Sequence, residues 1–325
     1  MFRALSLAAV LLAAAGSTAA PATPQSAYRR TPYVGAISAD AADGHVFRAY
    51  SENEEAYPAS LSKLMTALLV LEDVAAGRYS LTNMVVATPD VYNSEPSWVG
   101  IRVGERMSVR DLMYALMVES ANDAAIALGV NSAGSFDAFV AKMNARAAEL
   151  EMTRTRYYNP NGLPPGRPNG RSRPYPWKNF NVSTAADQLR LALALMKRPE
   201  IFEFTSVKTC DLIKTPGGYR VSVTRAVNRP QRETRLERGE KVVKQMRNHN
   251  HIMVKDRQKV INPDGSEAVD GFKTGYIDAG GSSVILTGTR KGRRAVVVVL
   301  GSMSASLRDE HARQLLVDAL GAMVW

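Results

Sequence analysis

The stretch Pro58-Ala59-Ser60-Leu61-Ser62-Lys63-Leu64-Met65-Thr66 sets a serine three residues ahead of a lysine, just before an apolar run through Leu64, Met65, Leu68 and Leu69. On a helix, positions i and i+3 share a face, so the Ser60 hydroxyl and the Lys63 amine can meet. A serine hydroxyl is a poor nucleophile until a base removes its proton. For Lys63 to be that base it has to be neutral near pH 7, about three units below its ordinary value of ~10.4, which is roughly 4 kcal/mol of bias against the ammonium. Burial under an apolar helix supplies part of that bias, and a second cation nearby supplies more. The bland alternative is a helix cap beside a solvated lysine, so the rest of the chain has to choose.

Ser-x-x-Lys alone is a weak pattern in a chain of 325 residues. Ser-x-Asn is equally weak and occurs at Ser51/Asn53 and at Ser120/Asn122, whereas Lys-Thr-Gly occurs once, at Lys273-Thr274-Gly275. The informative feature is their order and setting. Ser60/Lys63 opens a helix running to about Ala76. Ser120-Ala121-Asn122 interrupts a helical stretch, and Lys273-Thr274-Gly275 lies in a strand. That ordered trio belongs to penicillin-binding proteins and class A β-lactamases.

The chain resembles a low-molecular-mass penicillin-binding protein of the D-alanyl-D-alanine carboxypeptidase family. The likeness extends over about residues 30 to 320, through "YPASLSKLMTALLVLE", "VRDLMYALMVESANDAAIALG", "YYNPNGLP", "VSTAADQLRLALALMKRPEIF" and "VDGFKTGYIDAGGSSVILTGTRKGRRAVVVVLG". It implies that Ser60 attacks the penultimate D-Ala carbonyl of a peptidoglycan stem peptide and forms an acyl-enzyme, with Lys63 taking its proton. Ser120 and Asn122 would relay protons and hold the substrate amide. Lys273 would be the second cation that depresses Lys63, with Thr274 and Gly275 along the bound peptide. The oxyanion hole would be the backbone N–H groups of Ser60 and Tyr276. Arg308, at the start of the last helix, stands where carboxypeptidases of this family place an arginine for the terminal carboxylate; the other reading is a surface arginine paired with Asp309 or Glu310. β-Lactams would be covalent inhibitors.

The same likeness implies a β-lactamase/transpeptidase-like single domain of α+β type. The pattern agrees: strands at both chain ends, helices in the middle, and a mostly antiparallel sheet in which the two termini meet. A hairpin turns at Ala42-Asp43-Gly44 and another at Lys291-Gly292. Ser108 and Asp111 have capping-box spacing, and Ser183 is placed as the cap of the helix "TAADQLRLALALMK". Residues 159–181 are too rich in Pro and Gly for regular structure. No Glu-x-x-Leu-Asn segment of a class A β-lactamase is present.

The first residues read as an export signal over 1–22: Met1-Phe2-Arg3, an apolar stretch from Ala4 to Ala15, then "GSTAAPA", with cleavage after Ala19 or Ala22. A polar lead-in at 23–31 precedes the catalytic domain at 32–325. About fifty residues follow Lys273, room for strands and one helix, as in soluble single-domain relatives. The protein is therefore expected outside the cytoplasm. Its single cysteine, Cys210, allows no intramolecular disulfide, and "KTCDLIK" reads as a strand with no base beside the thiol. Four histidines, including His249 and His251, have no metal-ligand spacing, so neither metal nor cofactor is expected.

The net charge of +10 points to anionic envelope polymers or membrane headgroups, and export with no binding motif argues against nucleic acid. Within a basic insertion at 225–248, Arg229, Arg232, Arg235, Arg238, Lys241, Lys244 and Arg247 recur every third residue. That period suits neither a helix face nor a strand face, and reads as an exposed loop between strands. Two readings stand beside carboxypeptidase: an endopeptidase cutting peptidoglycan cross-links, and a catalytically weak penicillin-binding scaffold.

Overall fold

The computed structural model describes residues 32–91, 96–166 and 178–323. The proposed signal and lead-in, and the middle of the Pro/Gly-rich loop, lie outside the described residues.

The two chain ends do meet in one sheet. Strands β1 (Gly35–Asp40) and β2 (Val46–Tyr50) come from the N-terminal side, and β8 (Val269–Ile277), β9 (Gly281–Arg290) and β10 (Arg293–Ser302) from the C-terminal side. They form a five-stranded sheet in the order β2-β1-β10-β9-β8. Every pairing is antiparallel, and β1 meets β10 from Gly35 opposite Leu300 to Asp40 opposite Ala295. The β9–β10 turn has Lys291 at φ 50° and Gly292 at φ 77°, the two left-handed positions of a tight hairpin.

The run Ala295-Val-Val-Val-Val-Leu300 has no polar alternate because both faces of β10 are covered. Val296, Val298 and Leu300 point to a core shared with Leu68 of helix α1 (Lys63–Ala75) and Leu191 and Leu195 of α5 (Ala185–Met196). Val297 and Val299 point the other way, onto Leu316 and Leu320 of α8 (Ala305–Ala322). A strand buried on both faces reads as a continuous apolar run.

Between these ends lie α2 (Val109–Tyr114), α3 (Asn122–Ala133), α4 (Phe136–Glu149) and the short α6 (Ile201–Thr205). Ser108 caps α2 by accepting from the Asp111 N–H at 3.1 Å. The cap of α5 is Thr184, not Ser183: Thr184 Oγ1 accepts from the Asp187 N–H, while Ser183 Oγ meets Thr155 Oγ1 and accepts from Gln188. Both residues have the right chemistry, and the choice is made by Ser183 being held in a bridge to Ala56.

The middle of the chain builds a second five-stranded sheet that the sequence reading did not separate from the first. Strands β3 (Met84–Val86), β4 (Arg106–Ser108), β5 (Val207–Thr215), β6 (Gly218–Ala226) and β7 (Lys241–Arg247) run in the order β3-β4-β6-β5-β7. Here the basic insertion departs from the expected loop. Residues 229–240 are irregular, but Lys241–Arg247 is an edge strand paired antiparallel with β5. The three-residue charge period breaks on it: Met246 is fully buried while Lys241 and Arg247 are exposed. Lysine and arginine on an edge strand discourage pairing with another chain.

Leu300 is completely buried between the first sheet and the helical layer. Leu300→Ala should cost about 2–5 kcal/mol, read as a lower urea midpoint with an unchanged m-value.

Candidate active site

Ser60 lies on a single 3-10 turn, Ala59–Ser62, immediately before α1. Lys63 is therefore the first residue of the α-helix, and its side chain is fully buried. Its Nζ lies 3.0 Å from Ser60 Oγ, 2.7 Å from Asn122 Oδ1 and 2.7 Å from the carbonyl oxygen of Asn161. The last two atoms can only accept. A neutral amine has two N–H bonds and one lone pair, so donating to both oxygens leaves the lone pair for the Ser60 hydroxyl. The environment favours that neutral form: desolvation first, then the charge of Lys273, hold Lys63 well below the usual lysine range, with Asp123 opposing.

Ser120 sits at the end of a π-helical turn, Ala115–Glu119, in the left-handed region at φ 61°. That break between α2 and α3 aims residues 120 and 122 at the start of α1. Ser120 and Asn122 are both nearly inaccessible. Below them, Asp123 accepts from the backbone N–H groups of Val99, Gly100 and Ile101, and the Asn122 N–H donates to the carbonyl of Ser97. The Ser97 segment is thereby held over the cleft.

Lys273, Thr274 and Gly275 lie on β8, the sheet edge facing the Ser60 turn. A Cβ at Gly275 would come within 2.7 Å of Pro58 O and 3.2 Å of Ser60 N, so only glycine lets this strand approach so closely. Lys273 is buried, and its Nζ donates to the Thr274 carbonyl at 2.9 Å. Desolvation, then the guanidinium of Arg308, push its pKa down to about 7, against a smaller opposing pull from Glu119. Arg308 lies in the first turn of α8 and is 4% exposed. Its Nε and Nη2 both donate to Asp309 Oδ1, at 2.9 and 2.6 Å. Pairing with Asp309 and facing the site are thus compatible, since Arg308 lines the same cleft as Ser60.

That cleft, about 310 Å³, brings together Ser60, Ser120, Thr274, Gly275, Tyr276 and Arg308, with Lys63 and Asn122 directly behind Ser60. With Lys273 buried on β8 within the electrostatic reach of Lys63 and Arg308, all nine residues singled out in the sequence fall in one place. Tyr276 is 61% exposed at the rim, and its hydroxyl donates to Asp278. Among the described residues no group of three or more His, Cys, Asp or Glu side chains could hold a metal ion. Cys210 is buried on β5, and burial pushes its thiol up.

A match to the D-alanyl-D-alanine carboxypeptidase family covers residues 31–304, and the chain belongs to that family. It is 29% identical over 285 residues to D-alanyl-D-alanine carboxypeptidase DacD of Salmonella typhimurium, covering 85% of this chain and 60% of that protein. The chain thus spans well under two thirds of that relative's length. Its fold is similar to the crystal structure of DacD from Francisella tularensis, with TM-score 0.73 and 24% identity over 95% of this chain and 75% of that one. It is also similar to penicillin-binding protein D2 from Listeria monocytogenes in the cefotaxime-bound form, with TM-score 0.65 and 26% identity over 89% of this chain and 97% of that one.

Several residues at the site escaped the sequence reading. The Asn161 carbonyl touches Lys63, and the Pro160 carbonyl accepts from Thr66 Oγ1 at 2.9 Å. Asn181 ties the two sides of the long loop to the Ser60 turn, donating to Ser62 Oγ and to the Asn159 carbonyl. The signal available was Asn161-Gly162 after a proline, a dipeptide that favours left-handed backbone. His249 and His251 line the cleft too, although they were weighed only as metal ligands. Lys244, counted with the loop cations, instead pairs with Glu119 beside Ser120 and donates to the Trp98 carbonyl.

Gly162 has φ 82°, and a Cβ there would fall 1.8 Å from the Ala59 carbonyl oxygen. Gly162→Ala should push residues 59–62 out of register with Asn161. Stability should drop by about 1–3 kcal/mol, read by thermal unfolding, and Ser60 reactivity toward a β-lactam should fall at least tenfold.

Proposed function

We propose that this protein is a serine D-alanyl-D-alanine carboxypeptidase acting on peptidoglycan stem peptides. The observation that carries the reading is the buried Lys63 amine, whose two acceptor-only partners leave its lone pair to Ser60. Ser60 Oγ attacks the penultimate D-Ala carbonyl as Lys63 takes its proton. Negative charge on the carbonyl oxygen is met by the N–H groups of Ser60 and Tyr276. The C–N bond breaks, the proton passes through Lys63 and Ser120 to the departing nitrogen, and D-alanine leaves. Water then attacks the Ser60 ester by the same route in reverse. Asn122, Thr274 and Gly275 position the peptide backbone, and Arg308 with Thr274 receives the terminal carboxylate.

β-Lactams would acylate Ser60 in place of the peptide and block it. Removal of residues 1–22 on export, leaving one catalytic domain over 32–325 outside the cytoplasm, fits a peptidoglycan substrate. The exposed cations of 229–247 fit contact with anionic wall polymer, which salt would weaken.

Intact-mass measurement after benzylpenicillin should show one adduct, absent from Ser60→Ala. The purified protein should release D-alanine from monomeric pentapeptide. Cleavage of cross-linked dimers alone would make it an endopeptidase, and an adduct without turnover would make it a scaffold.

Lys273 lowers the pKa of Lys63, so its removal should raise that pKa. The acid limb of the pH profile of kcat/KM for penicillin acylation should therefore move to higher pH in Lys273→Ala. An unmoved limb would assign the depression of Lys63 to burial alone.

A further inference from the structure

Arg308 enters the cleft with only part of its guanidinium committed. Nε and Nη2 both donate to Asp309 Oδ1, at 2.9 and 2.6 Å, and among the described residues the side chain makes no other hydrogen bond or ion pair. A guanidinium carries its N–H bonds in one plane, one on Nε and two on each terminal nitrogen. Both on Nη1 and one on Nη2 are therefore left over, and they lie along a single edge. Such an edge grips a carboxylate through two parallel bonds. Asp309 thus decides which edge Arg308 offers to the cleft.

Little in helix α8 itself would hold that pair together. Residues i and i+1 of a helix do not face each other, so the carboxylate next to Arg308 in sequence has to be kept on the arginine side by something outside the helix. That contact is His251. Its Nδ1 lies 3.1 Å from Asp309 Oδ2, and since the carboxylate accepts, Nδ1 carries the proton and donates. Asp309 is buried, and its side chain has no further partner among the described residues. One oxygen serves the arginine and the other the imidazole.

His251 is itself fixed from two sides. It opens the short helix α7 (His251–Val254), whose Ile252 and Met253 share a core with Ala312 and Leu316 of α8. The residue before it, Asn250, is buried and donates to the Gly271 carbonyl of β8, the strand that carries Lys273. The imidazole is thus placed relative to both β8 and α8, and it lines the cleft together with Arg308.

We propose that His251 and Asp309 are positioning residues for Arg308. They present its free edge to the cleft, and so set a preference for substrates that carry a free carboxylate beyond the scissile bond. The proposal rests on the proposed function only for what Arg308 binds. Both residues act through Arg308, not on the reacting bond.

The test compares N-benzoyl-D-alanyl thioglycolate, which has that carboxylate, with the methyl ester of its carboxyl group, which lacks it. A thioester reacts readily enough for the uncharged member to be followed as well. His251→Leu should lower kcat/KM on the thioglycolate by about fivefold or more, mostly through KM, and leave the methyl ester within about twofold. His251→Asn, whose Nδ2 can stand in for the Nδ1 donor, should recover most of the loss. In an Arg308→Ala background His251→Leu should have no further effect, because the residue it acts through is gone. Asp309→Asn should follow the same pattern more strongly; should that variant not fold, the part-exposed His251 series decides alone.

Equal losses on both substrates, as from a general disturbance of the cleft or an altered charge at Lys273, would overturn the proposal. No loss on the thioglycolate, a loss that survives in Arg308→Ala, or a wild-type protein with no preference between the two would do the same. A separate readout needs no turnover. Exchange of the Arg308 Nε–H, followed by nitrogen NMR, should quicken about tenfold or more in His251→Leu, and unchanged exchange would overturn the positioning. If the wild-type protein cleaves neither thioester, the proposed function falls, and the exchange measurement still decides what His251 and Asp309 do.

Discussion

A primary amine buried at the start of a helix, between two oxygens that can only accept, is the constraint on which the site depends. An ammonium at that position would lose its hydration and face the charge of Lys273. A neutral amine fits, with both N–H bonds used by Asn122 and Asn161 and the remaining lone pair aimed at Ser60. Each partner comes from a different part of the chain, so Lys63 is correctly dressed only when α1, the break before α3 and the 159–162 loop have all docked. Reactivity and folding are thus tied to the same contacts.

The electrostatics form a relay from the helix α8 side. Asp309 fixes Arg308 and meets His251; Arg308 depresses Lys273; Lys273 depresses Lys63. Desolvation is the larger influence at both lysines, and the neighbouring charge adds to it in the same direction. His249 stands in the same field: desolvation first, then Lys273 and Lys63, push its imidazole down to about 4, so it is neutral at pH 7. A carboxylate entering the cleft would relieve this repulsion between cations, which is a physical reason for an anionic substrate end to be drawn to that wall.

The second sheet extends this wall. Its edge strand β7 places Lys244 against Glu119, next to Ser120, and leads directly into Asn248–His251. The Asn248 side chain donates to the Val207 carbonyl, and that of Asn250 to the Gly271 carbonyl, joining the two sheets near the start of β8. The basic segment is therefore part of the architecture around the cleft rather than an appendage.

By itself the sequence determined most of the local elements and where the central motifs stand on them. Ser60/Lys63, Ser120/Asn122 and Lys273-Thr274-Gly275 were legible because local spacing and order carry them. The doubly buried run on β10 and the Lys291-Gly292 turn were legible because period and backbone preference are written residue by residue. Tertiary structure alone decided what surrounds the amine. The Asn161 carbonyl is a backbone atom, with no side-chain signature to announce that it meets Lys63 from 98 positions away. The separation into two sheets, the pairing of β7 and the sharing of Asp309 by Arg308 and His251 were likewise hidden. Each depends on which long-range partner wins a contact, and a periodicity confined to one segment cannot express that.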